Sequence, residues 1–305
     1  HCRYLHRLLT RHTLLYTELV TTGALMHGSV QRHLRFNAEE HPVALQLGGS
    51  EPEDLARAAR LGEQWGYDEI NLNCGCPSER VQRGAFGACL MAEPQTVADG
   101  VKAMRDAVAL PVTVKHRIGI DGLERYEDML DFVDKVAARG CTHFIVHARI
   151  AILAGLSPKE NREVPPLRYE VAAQLTQDFP DLEFILNGGI KTLDECRTHL
   201  QTFDGVMLGR EAYHNPYVLA QVDQQLFASD TPVVGRAEAL RQLRPYIKQH
   251  LAEGGVMHHI TRHVLGLGQG FPGARRFRQL LSVDVHKVDD PLQLLDQATQ
   301  LLEGH

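Results

Sequence analysis

The most constraining feature of this sequence is a short apolar run, ending in polar or small residues, that recurs between helix-like stretches. Short apolar runs that alternate with helices are typical of buried parallel strands in repeated βα units. The runs predict strands near residues 14, 43, 69, 112, 143, 184 and 205. The helix-like stretches between them include 53–65, 96–108, 125–139 and 193–200.

Seven predicted strands are one fewer than a closed (β/α)8 TIM barrel requires. The sequence begins at His1, inside a helix-like stretch and without an initiator methionine, so we expect the first barrel strand to be missing from it. A doubly wound open sheet is the structural alternative, but its functional residues would gather at one switch point. Polar residues follow every predicted strand here, which favours the barrel.

The βα rhythm stops after Tyr213, and the remaining sequence predicts a smaller all-helical domain. We therefore divide the chain into a barrel domain over residues 1–213 and a helical domain over residues 214–305. The helices predicted in the second domain are 217–227, 236–252, 260–267, 274–282 and 291–302.

Composition narrows the class of protein. The 305 residues are 44% hydrophobic, enough for a large core, yet no apolar run approaches the length of about 18 residues that spans a bilayer. The six cysteines are scattered, without the spacing of a disulfide framework or a zinc site. We expect a cytoplasmic protein with free thiols, no membrane contact and no metal.

Charge differs between the two parts of the chain. Nine Lys and Arg and nine Asp and Glu follow Tyr213, so the whole net charge of −6 lies before it. Arg275, Arg276 and Arg278 share about one helical turn with Phe277, a pattern that suits phosphates and bases. On these residues alone, a solvated helix face is the preferred interpretation and nucleic-acid binding the alternative.

A cysteine lies where one predicted strand ends. Residues 70–78 read Ile-Asn-Leu-Asn-Cys-Gly-Cys-Pro-Ser, so that Cys76 follows the strand on a Gly/Pro turn. A reactive thiol at the carboxyl edge of a parallel sheet is the functional interpretation. A small buried cysteine beside a turn is the structural one, and it is the commoner for a lone cysteine.

The barrel would bring the polar strand ends to one mouth. Lys115, at the end of an apolar strand, is hard to explain structurally because burying an unpaired charge is costly. Gln46 and Asn187 alone could be strand-end caps, and His147 alone a core histidine. The residues expected to converge are Gln46, Asn73, Cys76, Lys115, His147, Asn187 and Arg210, with Gly188, Gly189 and Gly209 completing a phosphate cradle. Their joint placement favours a flavin mononucleotide (FMN) site over a sugar-phosphate site.

Several segments resemble the tRNA-dihydrouridine synthases. These are 70–78, 114–121, 147–149 and 187–190, while 156–167, 261–263 and 272–275 are similar to the bacterial A subfamily. The resemblance implies that NADPH reduces FMN, which then reduces uridine 20 or 20a of the tRNA D-loop to 5,6-dihydrouridine. Because no dinucleotide-binding fingerprint is present, we expect NADPH to bind transiently. We also expect a monomer.

The resemblance also implies roles for individual residues. Cys76 would protonate C5 of the uracil as C6 receives the flavin hydride, and Asn73 would lie between flavin and uracil. Gln46 would meet the flavin ring, while Lys115 and His147 would hold the flavin and its phosphate. Backbone of the cradle would assist at Asn187, Gly188, Gly189, Gly209 and Arg210. The candidate tRNA contacts are Arg168, Arg275, Arg278 and, beside the cysteine loop, Glu79.

The sequence departs from the family pattern in two places and leaves two other functions open. It has no Ala-Pro-Met segment of a first strand, and Ile150 and Ile152 stand where a basic and an aromatic residue are usual. An FMN-dependent oxidoreductase of a small pyrimidine-type molecule is the first alternative. A non-catalytic RNA-binding protein on the same scaffold is the second.

Overall fold

The computed structural model describes residues 1–303, which form a parallel sheet flanked by helices and a second, helical layer. The strands are β1 (Leu15–Tyr16), β2 (Val20–Thr21), β3 (Val43–Gly48), β4 (Glu69–Cys74), β5 (Val112–Arg117), β6 (His143–His147), β7 (Glu183–Asn187) and β8 (Gly205–Met207). Helices of the first part are α1 (Cys2–Leu9), α2 (Thr22–His27), α3 (Val30–Leu34), α4 (Pro52–Gln64), α5 (Glu79–Arg83), α6 (Pro94–Ala107), α7 (Tyr126–Ala137), α8 (Tyr169–Asp178) and α9 (Leu193–His199).

The C-terminal part is helical, as the sequence predicts. Its α-helices are α10 (Arg210–His214), α11 (Val222–Leu226), α12 (Arg236–Ala252), α13 (His258–Thr261), α14 (Ala274–Ser282) and α15 (Pro291–Leu302). Short 3-10 helices occur at Ala38–Glu40, Gly87–Ala92, Glu160–Arg162, Pro216–Gln221, Leu265–Gly268 and Asp284–His286. No helix within residues 1–303 is both long and apolar enough to cross a membrane.

The strand order defines the fold. Strands β1, β3, β4, β5, β6, β7 and β8 follow one another in chain order, every pairing is parallel, and β2 pairs with β3 beyond β1. A doubly wound sheet would reverse its order at a switch point, and this sheet does not. The predicted barrel-type α/β fold is therefore confirmed. The two short strands β1 and β2 lie where the sequence predicts one strand near residue 14, so the eight strands occupy seven positions. Among the described residues, β1 and β8 are not paired with each other.

The helices pack on the outside of the sheet through small and apolar side chains. Helix α4 begins with a proline in its first turn and turns Leu55, Ala58 and Ala59 towards the core. On the same face, a Cβ at Gly62 would lie 2.6 Å from Ile70 Cδ1. Glycine thus lets the helix approach β4 closely.

Two hydrophobic cores are present. The first lies between the sheet and its helices, from Val20 to Phe203. The second contains residues from Ala212 to Leu302 together with Leu5 and Leu9 of α1. Helix α1 therefore packs with the C-terminal helices, although it precedes the sheet in sequence. The boundary between residues 213 and 214 stays a prediction, and residues 304 and 305 lie outside the described residues.

The buried carboxylate of Asp223 joins the segment after α1 to the C-terminal part. It accepts hydrogen bonds from Thr10 Oγ1 at 2.5 Å, from the Arg11 backbone N–H at 2.6 Å and from the His12 N–H at 3.3 Å. Its side chain is buried, so water cannot easily take the place of the carboxylate as the acceptor of these hydrogen bonds.

We predict that Asp223→Ala lowers the free energy of unfolding by about 2–3 kcal/mol, because it leaves three donors without their acceptor. Urea unfolding followed by circular dichroism measures the change. Asp230→Ala, which removes an exposed carboxylate a few residues further on, is the control and should change stability by less than about 0.5 kcal/mol. Equal effects of the two substitutions would contradict a role of Asp223 as a link.

Candidate active site

The parallel register brings the predicted strand-end residues to one edge of the sheet. Asn73 of β4 lies beside Lys115 of β5, and His147 of β6 lies between Arg117 of β5 and Asn187 of β7. These residues occupy the C-terminal ends of neighbouring parallel strands, where barrel-type enzymes carry their active sites.

The loop that carries Cys76 is held through its backbone. Asn73 Oδ1 accepts hydrogen bonds from the N–H groups of Gly75 at 3.0 Å and Cys76 at 2.9 Å. The Cys76 carbonyl in turn accepts the Ala88 N–H at 2.9 Å. Gly87 adopts a φ of +76°, and a Cβ there would come within 2.6 Å of the Cys76 carbonyl oxygen. The half-buried thiol is therefore presented from a fixed turn.

Arg117, which sequence reasoning missed, joins this loop to the segment after β6. Its buried guanidinium donates to the carbonyl of Gly75 at 3.0 Å and to that of Asn161 at 2.8 Å. The fully buried Asn161 side chain fixes its own segment by exchanging two hydrogen bonds with the Ile152 backbone. Arg117 follows Lys115 by two residues on an extended strand, so the same sequence segment held the signal.

The mouth is electropositive. Burial, reinforced by the charges of Lys115, Arg117, Arg149 and Arg210, holds the pKa of His147 far below its usual value and keeps its imidazole neutral. Burial also lowers the pKa of Lys115 to about 8, and within residues 1–303 its amine has no hydrogen-bond or ion-pair partner. Arg149 donates to the Pro165 carbonyl, while its buried Nε has no partner in the same residues. Such groups suit an anionic ligand.

Three glycines shape the backbone beside these cations. Gly188 and Gly189 have φ values of +118° and +73°. A Cβ on Gly188 would lie 2.7 Å from His147 Cδ2, and one on Gly189 would clash with the Leu167 side chain. Gly209 faces open space, so its backbone is accessible. The first two glycines therefore let His147 and Leu167 pack against the main chain, whereas the open space at Gly209 lets a phosphate approach it closely.

Other predicted cofactor residues have protein partners. Asn187 Nδ2 donates to the Met207 carbonyl at 2.8 Å. The Arg210 guanidinium forms an ion pair with Glu163 at 2.8 Å and donates to the Arg162 carbonyl at 2.9 Å. The side chain of Arg210 thus organises the neighbouring loop, and its backbone remains the candidate for phosphate contact.

The predicted tRNA-binding residues differ in exposure and pairing. Glu79 is exposed in the first turn of α5, 3.5 Å from Arg83. Arg168 is half-buried, with its Nε 3.5 Å from Glu170. Neither location opposes a contact with a macromolecule at the mouth, and neither requires one.

The arginines of α14 are more distinctive. Arg275 and Arg278 are exposed and have no ion-pair or hydrogen-bond partner for their guanidinium groups in the described residues. Arg276, between them in sequence, pairs with Asp284 at 2.9 Å. The Phe277 ring, which the nucleic-acid alternative would offer to bases, is fully buried in the second core.

Cysteine chemistry in the rest of the chain is structural. All six cysteines are free, and Cys74 is completely buried in the first core. Burial raises the pKa of the Cys74 thiol far above its usual value, so this thiol is inert. Within residues 1–303 no group of three or more potential ligands is placed to hold a metal ion.

The fold and the site together define a barrel-type α/β enzyme with a presented thiol and an electropositive mouth. A solved structure of 2-naphthoyl-CoA reductase bound to 2-naphthoyl-CoA resembles this fold with a TM-score of 0.56 at 12% identity, over 73% of this chain and 46% of that chain.

The family follows from the sequence comparisons. The dihydrouridine synthase (Dus) family model matches residues 1–303. A tRNA-dihydrouridine(20/20a) synthase of Pseudomonas putida is 70% identical over 304 residues, which cover 100% of this chain and 90% of that protein. The enzyme of the same name from Vibrio parahaemolyticus is 59% identical over 98% of this chain and 91% of that protein. The chain belongs to the dihydrouridine synthase family.

A buried histidine beside the site gives a pH-dependent prediction. His116 is fully buried, donates from Nδ1 to the Arg117 carbonyl at 2.7 Å and has no partner for Nε2 in the described residues. Burial lowers the pKa of His116 to about 4. The unfolded chain takes up a proton at about pH 6.5, so the stability that depends on neutral His116 is complete above that pH and is lost as the pH falls towards 4.

We predict that His116→Asn, which keeps a donor for the Arg117 carbonyl but cannot titrate, loses about 2 kcal/mol less stability than the wild type between pH 7.5 and pH 5. Its absolute stability should be lower because the smaller side chain leaves a cavity. Urea unfolding of both proteins at the two pH values measures the difference. Parallel pH dependences would show that His116 is not the responsible group.

Proposed function

We propose that this protein reduces uridine 20 and 20a in the D-loop of tRNA to 5,6-dihydrouridine, with FMN as the bound cofactor and NADPH as the electron donor. The observation that carries the proposal is the Cys76 thiol, presented from a loop whose backbone groups are held in place, beside an electropositive mouth. Membership of the dihydrouridine synthase family supports it. So do the names of the two bacterial relatives.

The residues at the mouth fit FMN. A phosphate or an electron-rich ring edge binds to hydrogen-bond donors. The unpartnered amine of Lys115 and the accessible backbone at Gly209 can supply them. Lys115 and neutral His147 would hold the flavin and its phosphate, with the backbone of Gly188, Gly189 and Gly209. Gln46 would meet the ring edge. When bound and reduced by NADPH, FMN supplies a hydride.

The chain contributes the proton and the orientation. The Cys76 thiol would donate its proton to C5 of the uracil as C6 receives the hydride, so the reaction uses the thiol rather than the thiolate. Ser78 Oγ lies 3.6 Å from Cys76 Sγ and limits where the thiol points. Asn73 would lie between flavin and uracil and hold the loop at the same time.

The target base must leave its stack to reach the strand ends, since a thiol at the mouth cannot touch a base within a folded RNA. The free guanidinium groups of Arg275 and Arg278 would hold the RNA backbone during this step. Arg168 and Glu79, near the mouth, are further candidates. Free cysteines support a cytoplasmic location, and we propose a monomer that binds NADPH transiently.

We predict that Cys76→Ala lowers the rate of dihydrouridine formation by about 10²–10⁴-fold, because the proton donor is lost while the hydride source remains. The purified protein is incubated with FMN, NADPH and unmodified tRNA, and digested nucleosides are analysed by mass spectrometry.

Cys89→Ala is the matched control, since Cys89 is half-buried like Cys76 but its thiol donates to the Phe86 carbonyl. It should retain nearly full activity. Unchanged product with Cys76→Ala would contradict the role of this thiol. A protein that binds FMN and oxidises NADPH but leaves tRNA untouched would instead indicate an enzyme of a small molecule. A protein that binds tRNA without either reaction would indicate a non-catalytic RNA-binding protein.

The α14 arginines give a second prediction. The double variant Arg275→Gln and Arg278→Gln should weaken tRNA binding. It should also make the fall of log affinity with log salt shallower by about 1 to 2 in slope, because two charges that would contact phosphates are removed. Filter binding across a salt series measures both quantities. Arg276→Gln is the control and should change them less, since Asp284 already neutralises Arg276. An equal effect of the control would assign binding to net charge rather than to these two residues.

A further inference from the structure

A series of hydrogen-bonded side chains crosses the inside of the sheet below the mouth. Asn73 Nδ2 donates to Gln46 Oε1 at 2.8 Å, and Gln46 Nε2 donates to Asn71 Oδ1 at 2.9 Å. Asn71 Nδ2 donates to Thr113 Oγ1 at 2.8 Å, and this hydroxyl donates to Glu69 Oε1 at 2.6 Å. We call these five residues the interior relay.

Strand geometry explains why the relay exists. Glu69, Asn71 and Asn73 alternate along β4, so their side chains point to the same face of the sheet. Gln46 of β3 and Thr113 of β5 are the register partners of Asn71 on either side. Polar residues thus form a continuous path from the N-terminal to the C-terminal end of β4.

The two ends of the relay fix the direction of every hydrogen bond in it. At the upper end, the N–H groups of Gly75 and Cys76 only donate, so Asn73 must turn its oxygen towards them. At the lower end, an ionised Glu69 only accepts, and it also receives the Tyr16 hydroxyl at 2.8 Å. Turning one amide between these ends would place donor against donor or acceptor against acceptor.

Water cannot easily repair such a mismatch. Asn71 is 0% exposed and Thr113 is 3% exposed, so an unpaired amide or hydroxyl at these positions has no access to solvent. The amide orientations therefore follow from the chemistry of their partners along the whole relay. Hydrogen bonds that run in one direction also reinforce one another by polarisation.

We propose that Thr113 and Glu69 are positioning residues for the active site: through Asn71 and Gln46 they support the Asn73 amide from below, in the orientation that the Gly75 and Cys76 N–H groups require, and so help it to hold the Cys76 loop. Neither residue reaches the mouth, and each acts only through the next member of the relay. The inference rests on the proposed function for its catalytic consequence, but not for its effect on the loop.

Paired substitutions at Thr113 test the proposal. Thr113→Val keeps the shape of the side chain but removes the acceptor for Asn71, whereas Thr113→Ser keeps the hydroxyl. In the valine variant the Asn71 amide loses its acceptor, the support of Gln46 and Asn73 from below is broken, and only the Gly75 and Cys76 N–H groups still hold the Asn73 amide, so the loop opens more often. We expect the alkylation rate of Cys76 by iodoacetamide to rise about tenfold, which corresponds to about 1.4 kcal/mol. The serine variant should behave like the wild type.

Peptide mass spectrometry reads each cysteine separately in the ligand-free protein, so the measurement needs neither FMN nor tRNA. Cys196, fully buried on α9, reports general loosening of the barrel. A parallel rise at Cys196 and Cys76 would mean that Thr113 is only structural and would overturn the proposal. Equal Cys76 rates in the valine and serine variants would overturn it as well.

A second pair of substitutions, at Glu69, tests the proposal if the Thr113→Val variant does not fold. Glu69→Gln retains an acceptor oxygen for Thr113 and Tyr16 and should leave the Cys76 rate near that of the wild type, whereas Glu69→Met removes the acceptor and should raise it. With activity established, both disruptive variants should lower kcat for dihydrouridine formation about tenfold with little change in KM for tRNA. If the wild type makes no dihydrouridine, the proposed function fails, while the alkylation rates still decide the role of the relay.

Discussion

The parallel register of the strands is the constraint on which the site depends. Each helix returns the chain to the same end of the sheet, so every strand releases its last side chains at one edge. Neighbouring positions in the register then become neighbours in space, as Asn73 and Lys115 are, and as His147 and Asn187 are. A shift of one residue in any pairing would turn these side chains out of the mouth and into the helix layer.

The Cys76 loop is supported from two sides by different kinds of interaction. From inside the sheet, Asn73 binds two of its N–H groups with a neutral amide. From the side, Arg117 binds the Gly75 carbonyl with a charged group whose observed partners are carbonyls rather than carboxylates. Because Lys115, Arg117 and Arg149 have no carboxylate partner among the described residues, the mouth stays electropositive, at a cost in folding stability that the surrounding carbonyls offset only in part. Unbalanced charge of this kind is typical of functional sites.

The sequence predicted what is visible in local patterns. Strand ends such as Lys115 were found because a lysine that terminates an apolar run has few structural explanations, and the barrel-type fold followed from the spacing of the runs. The inner residues Asn71 and Thr113 were missed because alternating polar residues describe a solvent-facing strand face equally well. Arg117 was missed because its partners, the carbonyls of Gly75 and Asn161, lie 42 and 44 residues away in sequence. The burial of Phe277 was not predicted, since the sequence analysis did not establish which face of α14 packs against the core.

Helix α1 has a consequence for how the molecule is made. Leu5 and Leu9 are buried among side chains that belong to residues 212–302, so these partners of α1 are synthesised long after α1 itself. While the ribosome completes the chain, the sheet can form from successive units, but the apolar face of α1 stays uncovered. Closing the second core then joins segments more than 200 residues apart, as the contact between Tyr4 and Tyr246 shows. Long-range contacts of this kind form slowly, so α1 is covered only after the residues of the second core have been synthesised.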